Sequence, residues 1–342
     1  MGEAFSRLPG LLLPWYDGGH RNLPWRRDRE PYHVWLSEIM LQQTRVEAVK
    51  DYYARVLAEL PDIQALAGAS DDRCRKLWEG LGYYTRVRNL RLGAQQIVER
   101  HGGVFPQDYD DVRALAGIGD YTAGAICSIC FEQPTPAVDG NVLRVATRLT
   151  EDARPVSDAK YKRELTKALA AVYPATRRGD FTQALMELGA VVCAPNGAPK
   201  CESCPLSRIC AAYKHGTQVD FPVRAAKKPR RKEKLTVFLL RCGDRVAVRK
   251  RGETGLLAGL WEYPNVPGHL DMDAALRQAE AWETHPSAPQ TVTEKTHVFT
   301  HVEWEMRCYA ISCAAQPPLF RWATEEELRG ELALPTAFRI LS

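Results

Sequence analysis

Two carboxylates, one glycine turn and four cysteines are the residues of this 342-residue chain whose types and spacing best suit chemistry. Asp139 stands in an Asp-Gly-Asn turn ahead of the helical stripe Val142, Val145, Ala146 and Leu149. A carboxylate there caps a helix and faces its positive end. Roughly twenty residues upstream, Leu-Ala-Gly-Ile-Gly closes at Gly119. Gly117 and Gly119 permit positive φ and remove side-chain bulk, so backbone N–H groups can approach a phosphate. A helix expected from Tyr121 turns its positive end to the same place. A phosphate grip with one carboxylate beside it suggests chemistry on a nucleic acid. Each piece alone has a plainer reading, an interhelical turn and an ordinary N-cap; the combination carries the inference.

Glu38 is the second acid. On a helix opened by Pro31 and expected to run through Thr44, it has Val34 and Trp35 one turn behind and Leu41 one turn ahead. Apolar neighbours disfavour the charged form and raise the pKa, as a general acid near neutral pH requires. An isolated Glu on such a helix is more commonly a surface residue. Cys193, Cys201, Cys204 and Cys210 form C-x7-C-x2-C-x5-C. Four thiolates in so short a loop can wrap one metal centre, and both tetrahedral zinc and a 4Fe–4S cluster fit the count. Cys127 and Cys130 resemble a CxxC pair, but on an Ala/Ile-rich helix they read as core.

The elements that position these groups are mostly helical up to about residue 214. Helices are expected over Phe5–Tyr16, around Lys160–Tyr173 and through FTQALMELGAVVC. GLGYYTRVRNL adds a Gly-flanked turn with Tyr83 and Tyr84 beside Arg86 and Arg88, suited to stacking on bases and anchoring phosphates. Residues 201–250 carry 13 Lys/Arg against 4 Asp/Glu, and residues 251–342 carry 7 against 13. The basic run at RAAKKPRRKEK reads as a linker that could meet nucleic acid. LTVFLLRCGDRVAVRKR then reads as a hairpin around Gly-Asp, followed by a helix near Asp273–Glu283. In the alternating HVFTHVEWEMRCYAI, Val302, Trp304, Met306 and Cys308 share one face. No apolar run approaches a membrane span, and ten cysteines without a signal-peptide pattern point to a reducing compartment, cytoplasmic and nucleoid-associated if bacterial.

Together, LSEIMLQQT (36–44), GLGYYTRVRNL (80–90), VDGNV (138–142), the cysteine cluster at 193–210 and the 299–301 tripeptide resemble the helix-hairpin-helix base-excision DNA glycosylases, and within them the MutY adenine glycosylases. The resemblance spans about residues 24–301. It implies an α+β multidomain chain. An all-α helix-hairpin-helix domain over 1–214 holds the hairpin near 110–130 and an iron–sulfur loop at 193–210. A basic linker over 215–234 leads to a Nudix-like α/β domain over 235–342. Between the two metal readings it favours the 4Fe–4S cluster, although the first cysteine gap is seven residues here and usually six. The acidic, Mg²⁺-holding Nudix box is absent from AALRQAEAWE, so the second domain is expected to recognise rather than hydrolyse.

By the same resemblance, Glu38 protonates purine N7, and Asp139 faces the anomeric carbon and forms a transient adduct. Tyr121 and Asn141 orient that pair. Trp25, Arg26, Leu41 and Gln183 line the adenine site, Gln43 enters the base stack, Thr44 meets the opposite base, and Tyr83 is a wedge. Phe299, Thr300 and His301 match a Phe-Ser-His tip that senses 8-oxoguanine. Tyr121 stands where strand-cutting relatives carry lysine, so base hydrolysis with an intact strand is expected. The expected partner is duplex DNA with an 8-oxoguanine:adenine mispair, met by a monomer. Removing a base requires its extrusion, a proton for the leaving purine and negative charge near the sugar cation. A mismatch or pyrimidine glycosylase without lyase activity and a non-catalytic DNA-binding module are the alternatives.

Overall fold

The computed structural model describes residues 2–195, 197–225 and 229–341. The chain divides into two compact units, 1–68 with 89–226 and 69–88 with 227–342. The first is helical. Leu8–Asp17, Gly140–Thr150, Ala159–Ala170 and Arg178–Val191 bury Leu8, Leu12, Val145, Leu149, Leu165, Phe181 and Leu188 in one core. Asp108, Asp139 and Asp158 cap their helices by accepting backbone N–H bonds, and Pro31 occupies the first turn of its own. The expected Phe5–Tyr16 helix is two, Gly2–Ser6 and Leu8–Asp17. The Pro31 helix stops at Leu41, three residues early, because Gln43 adopts φ 58°.

Pro31–Leu41 packs on Asp120–Phe131, which packs in turn on Arg178–Val191. Arg178–Val191 also meets Gly140–Thr150, and the approach is close at Gly189. A Cβ there would lie 2.5 Å from the Asn141 Cβ and 2.9 Å from its backbone oxygen. Only a residue without a side chain lets these helices meet where Asp139 and Asn141 are held.

In the second unit, β1 (Arg231–Cys242), β2 (Arg245–Lys250), β3 (Trp261–Glu262), β4 (Asn265–Pro267), β5 (Thr291–Val298), β6 (Val302–Ser312) and β7 (Arg321–Thr324) form one sheet. Its path is β3-β2-β1-β6-β5, with β4 beside β1 and β7 beside β2. Strands β1 and β2 are the expected hairpin, turned at Gly243 with φ 62°. Strands β1 and β6 are parallel in continuous register from Arg231↔Val302 to Arg241↔Ser312. One face packs Val237, Leu239, Trp304 and Met306 under Leu334 and Phe338. The other packs Phe238, Leu240 and Ile311 under Ala275 and Ala279 of the Met272–Ala281 helix.

Two boundary expectations change. Strand β1 begins at Arg231, so the end of the basic run is paired strand rather than linker. Residues 226–228 of that run lie outside the described residues. The long alternating stretch is two strands, broken at Phe299-Thr300-His301, where the Phe299 N–H donates to the Val302 carbonyl at 2.8 Å. Residues 69–88 also group with the second unit, although the sequence places them in the helical domain.

Gly189→Ala is expected to lose about 1–3 kcal/mol of stability through overpacking. Its loss of activity should exceed what the unfolded fraction explains, since the backbone around Asn141 must move. Thermal melts paired with activity per folded molecule check this.

Candidate active site

A cavity of about 510 Å³ in the helical unit is lined by Glu38, Tyr121, Asp139 and Asn141 together with Trp25, Arg26, Leu41, Gln43, Thr44 and Gln183. All ten were singled out in the sequence, from segments spread over about 160 residues. Four helices, the Pro24–Arg26 turn and the turn after Leu41 bring them together.

Glu38 lies on the buried face of Pro31–Leu41, with 6 % of its surface exposed. Burial pushes its carboxyl up to about 7. The Tyr121 hydroxyl, which donates to Glu38 Oε2, pulls the other way, while the charge of Asp139 adds to the rise. Tyr121 sits in the first turn of Asp120–Phe131 because Gly119 caps that helix in an extended conformation. Burial and the two neighbouring acids raise the Tyr121 hydroxyl well above its ordinary range, so it remains a donor.

Asp139 is the N-cap of Gly140–Thr150. Its Oδ1 accepts the Val142 N–H at 2.7 Å, and its Oδ2 accepts Asn141 Nδ2 at 2.6 Å. A helix N-terminus for Asp139 and apolar neighbours for Glu38 lead one to expect opposite environments, with Asp139 ionised, and here the structure differs. Burial raises Asp139 too, against the hydrogen bonds from Val142 and Asn141. What separates the acids is the donor set: two N–H groups aimed at the Asp139 anion, one hydroxyl at Glu38. Asn141 is oriented by a residue that the sequence does not mark. Arg144 Nη2 donates to Asn141 Oδ1 at 2.8 Å and to the Gly189 carbonyl at 2.6 Å, and its Nε donates to the Cys193 carbonyl at 2.7 Å. Arg144 lies one turn past Gly140 on the Asp139 helix, but nothing in its sequence neighbourhood signals its burial. Arg21 and Glu187 are further lining groups that sequence reasoning missed.

The turn at the hairpin is built differently at its two glycines. Gly117 takes φ 77°, and a Cβ there would lie 2.7 Å from the Asn89 Cβ, so glycine is required. Gly119 has φ −103° with open space around it, so the expected positive φ is absent. Nothing lies within 4 Å of where a Cβ would stand, which leaves room for a phosphate to approach the backbone.

Two residues expected to enter the base stack share a strained backbone. Gln43, exposed in the helical unit, has φ 58°, and Tyr83, in the other unit, has φ 48°. A left-handed non-glycine residue costs on the order of 1–3 kcal/mol and is retained where the surroundings force it. Tyr83 is exposed and Tyr84 buried, so only the first can be a wedge. Within the same unit the Tyr83 hydroxyl lies 2.8 Å from Thr300 Oγ1. Phe299 stacks edge-on with Trp304 at 4.9 Å, and His301 is exposed. The phosphate role expected of Arg86 is not met. It is buried over Trp78, donates to the Leu81 and Gly82 carbonyls, and is lowered to about 10 by burial. Arg88 is exposed.

Cys193, Cys201, Cys204 and Cys210 line a second, small cavity with Arg148 and Gln218. Arg148 Nη1 donates to Cys193 Sγ at 3.3 Å. Burial raises Cys201, Cys204 and Cys210, and their neighbouring thiols add to it. Among the described residues no set of three or more His, Cys, Asp or Glu side chains stands ready to hold a metal ion. Four sulfur donors around one cavity are of the type that soft, thiophilic centres take.

Comparison with known proteins accords with this geometry. Residues 36–171 match the HhH-GPD superfamily of base excision DNA repair proteins, and residues 236–341 match the NUDIX domain. The chain is 35% identical to the adenine DNA glycosylase of Rattus norvegicus, over 96% of this chain and 77% of that one. It is likewise 35% identical to that of Homo sapiens, over 96% and 72%. A solved thermostable thymine-DNA glycosylase shares 25% identity and a TM-score of 0.56, covering 62% of this chain and 98% of its own.

A carboxyl held near 7 when folded binds its proton more tightly than the unfolded chain does. Its contribution is present below the unfolded value and is lost as pH rises through about 7. Glu38→Gln, which carries no charge, should therefore gain stability over the unsubstituted protein at about pH 8, on the order of 1–3 kcal/mol. The gap should close near pH 5. Melts at both pH values check the sign, and an equal gap at both would remove burial of the charge as the cause.

Proposed function

The chain belongs to the adenine DNA glycosylase family, and we propose that it hydrolyses the N-glycosidic bond of adenine opposite 8-oxoguanine or guanine, leaving an abasic site in an uncut strand. The supporting observation is one cavity lined by a carboxyl that keeps its proton near neutral pH and a second whose anion is hydrogen-bonded on both oxygens.

An adenine nucleotide turned out of the duplex would stack against Trp25 and Leu41, with Arg26 and Gln183 at its polar edge. Glu38 gives its proton to N7, and the electron pair of the C1′–N9 bond leaves with the base. The sugar becomes an oxocarbenium-like cation faced by the Asp139 carboxylate. Water adds to C1′ and its proton passes to a carboxylate, completing hydrolysis. The Tyr121 hydroxyl offers no amine for a Schiff base, so the phosphodiester is left intact. Backbone N–H groups at Gly117 and Gly119 would take a phosphate. Cys193, Cys201, Cys204 and Cys210 would hold a 4Fe–4S cluster, which when bound cross-links the loop they share.

Recognition of 8-oxoguanine is assigned to Phe299, Thr300 and His301 with Tyr83, because the wedge and the tip are hydrogen-bonded to each other. Gln43 would fill the gap left by the extruded base, and Thr44 would meet the opposite one. The protein is proposed to act as a monomer.

Duplex carrying adenine opposite 8-oxoguanine should yield a break only after alkali. A break without alkali would show lyase chemistry, no break would leave a binding module, and excision of thymine opposite guanine alone would favour the thymine-DNA glycosylase likeness. Excision should slow as pH rises through about 7, where Glu38 loses its proton. Thr300→Val should reduce the preference for 8-oxoguanine over guanine by about three- to tenfold, the worth of one hydrogen bond, with single-turnover excision otherwise kept. Purified protein should absorb broadly in the visible, and Cys204→Ser should abolish that band.

A further inference from the structure

Glu187 and Arg21 have no part in the proton transfer or the sugar chemistry, yet both line the same cavity. Glu187 projects from Arg178–Val191, and its side chain is 1% exposed. Its Oε1 accepts the Arg21 backbone N–H at 3.1 Å and Nε at 2.7 Å. Its Oε2 accepts Arg21 Nη2 and Arg26 Nη2, both at 2.8 Å. Arg26 Nη1 then donates to the Arg21 carbonyl at 3.2 Å. The Arg26 guanidinium is thus held on two sides, and both carboxylate oxygens are saturated.

We propose that Glu187 is a positioning residue for base excision, which fixes Arg26 in the cavity wall and cancels its charge beside Glu38. The inference rests on the reading of Glu38 as the proton donor. With Glu38 protonated and Asp139 counted as the anion that its two N–H donors favour, the charges lining the cavity are Arg21 and Arg26 against Glu187 and Asp139, two of each sign. A neutral base entering such a site meets no net charge, and the cation forming at C1′ meets none that opposes it. Without the Glu187 charge the balance becomes positive. A buried cation no longer compensated favours loss of the Glu38 proton and opposes the cationic transition state.

The other groups facing Glu38 do not supply this balance. Tyr121 and Cys130 on Asp120–Phe131 are neutral near pH 7, since burial raises both. Asp139 and Asn141 are bonded to each other, and Met186 carries no charge. Arg26 is the cation whose field lowers Glu38. Glu187 itself stays ionised: burial alone would raise it, but hydrogen bonds from Arg21 and the charge of Arg26 outweigh that and hold it at about 2.

The test is the pH profile of single-turnover adenine excision opposite 8-oxoguanine, with the full chain. Glu187→Gln should move the alkaline limb to lower pH by about half a unit or more. It should slow excision about tenfold at neutral pH while duplex affinity stays within about twofold. Arg26→Gln removes the opposite charge and should move the limb to higher pH. A folded Glu187→Gln variant with an unmoved limb overturns the proposal, and so does an Arg26→Gln limb that stays or moves to lower pH. If Glu187→Gln does not fold, the direction of the Arg26→Gln shift decides alone. An inactive unsubstituted protein would instead sink the glycosylase reading, whereas an active one with unmoved variants sinks only this inference.

Discussion

A carboxyl group withdrawn from water but left within reach of a substrate is the constraint on which this site depends. Glu38 can hold a proton near neutral pH only because its helix turns it into the protein and Asp139 adds repulsion from across the cavity. Either influence by itself is ordinary. Together they make an acid whose proton is available at the pH where DNA is intact, with a loss of stability when that proton leaves. The Tyr121 hydroxyl moderates the effect, since its bond to Glu38 favours the anion and keeps the acid from becoming inert.

The second acid is kept distinct by hydrogen bonding rather than by exposure. Both carboxyls are pushed up by burial, so solvent does not tell them apart. Asp139 is told apart by the Val142 N–H and the Asn141 amide. Behind Asn141 stands Arg144, whose other donors go to carbonyls at Gly189 and Cys193. The Asp-Gly-Asn turn, the Arg178–Val191 helix and the start of the cysteine loop are therefore joined through one side chain. A disturbance in the cysteine loop has a short path to the orientation of Asp139.

The second unit is organised differently. Its sheet is filled on both faces, with β1 central. Tyr83 in a left-handed conformation and Thr300 at the tip meet through their hydroxyls. The Met272–Ala281 helix carries Asp273 and Glu280 seven positions apart, about two turns along its axis. The match to the NUDIX domain is one of fold.

Much of this was legible from residues alone. The Asp-Gly-Asn turn reads as an N-cap, the Gly-Ile-Gly turn as a hairpin, and the apolar flanks of Glu38 as a raised acid, because each depends on neighbours within one helical turn. The alternation of Val302, Trp304, Met306 and Cys308 likewise determines which face is buried. What the chain order cannot express are contacts whose partners lie far apart in sequence. Glu187 looks like any helical acid until Arg21 and Arg26, more than 160 positions away, are placed on it. Arg144 looks like a surface cation until Gly189 allows two backbones to touch, and Arg86 looks like a phosphate anchor until Trp78 covers it. The break at 299–301 has the same origin, since alternation continues through it and only the pairing of β5 with β6 reverses the chain. Local spacing determined which residues could act; tertiary packing decided their charge, because burial and ion pairing are properties of what surrounds a group rather than of what adjoins it.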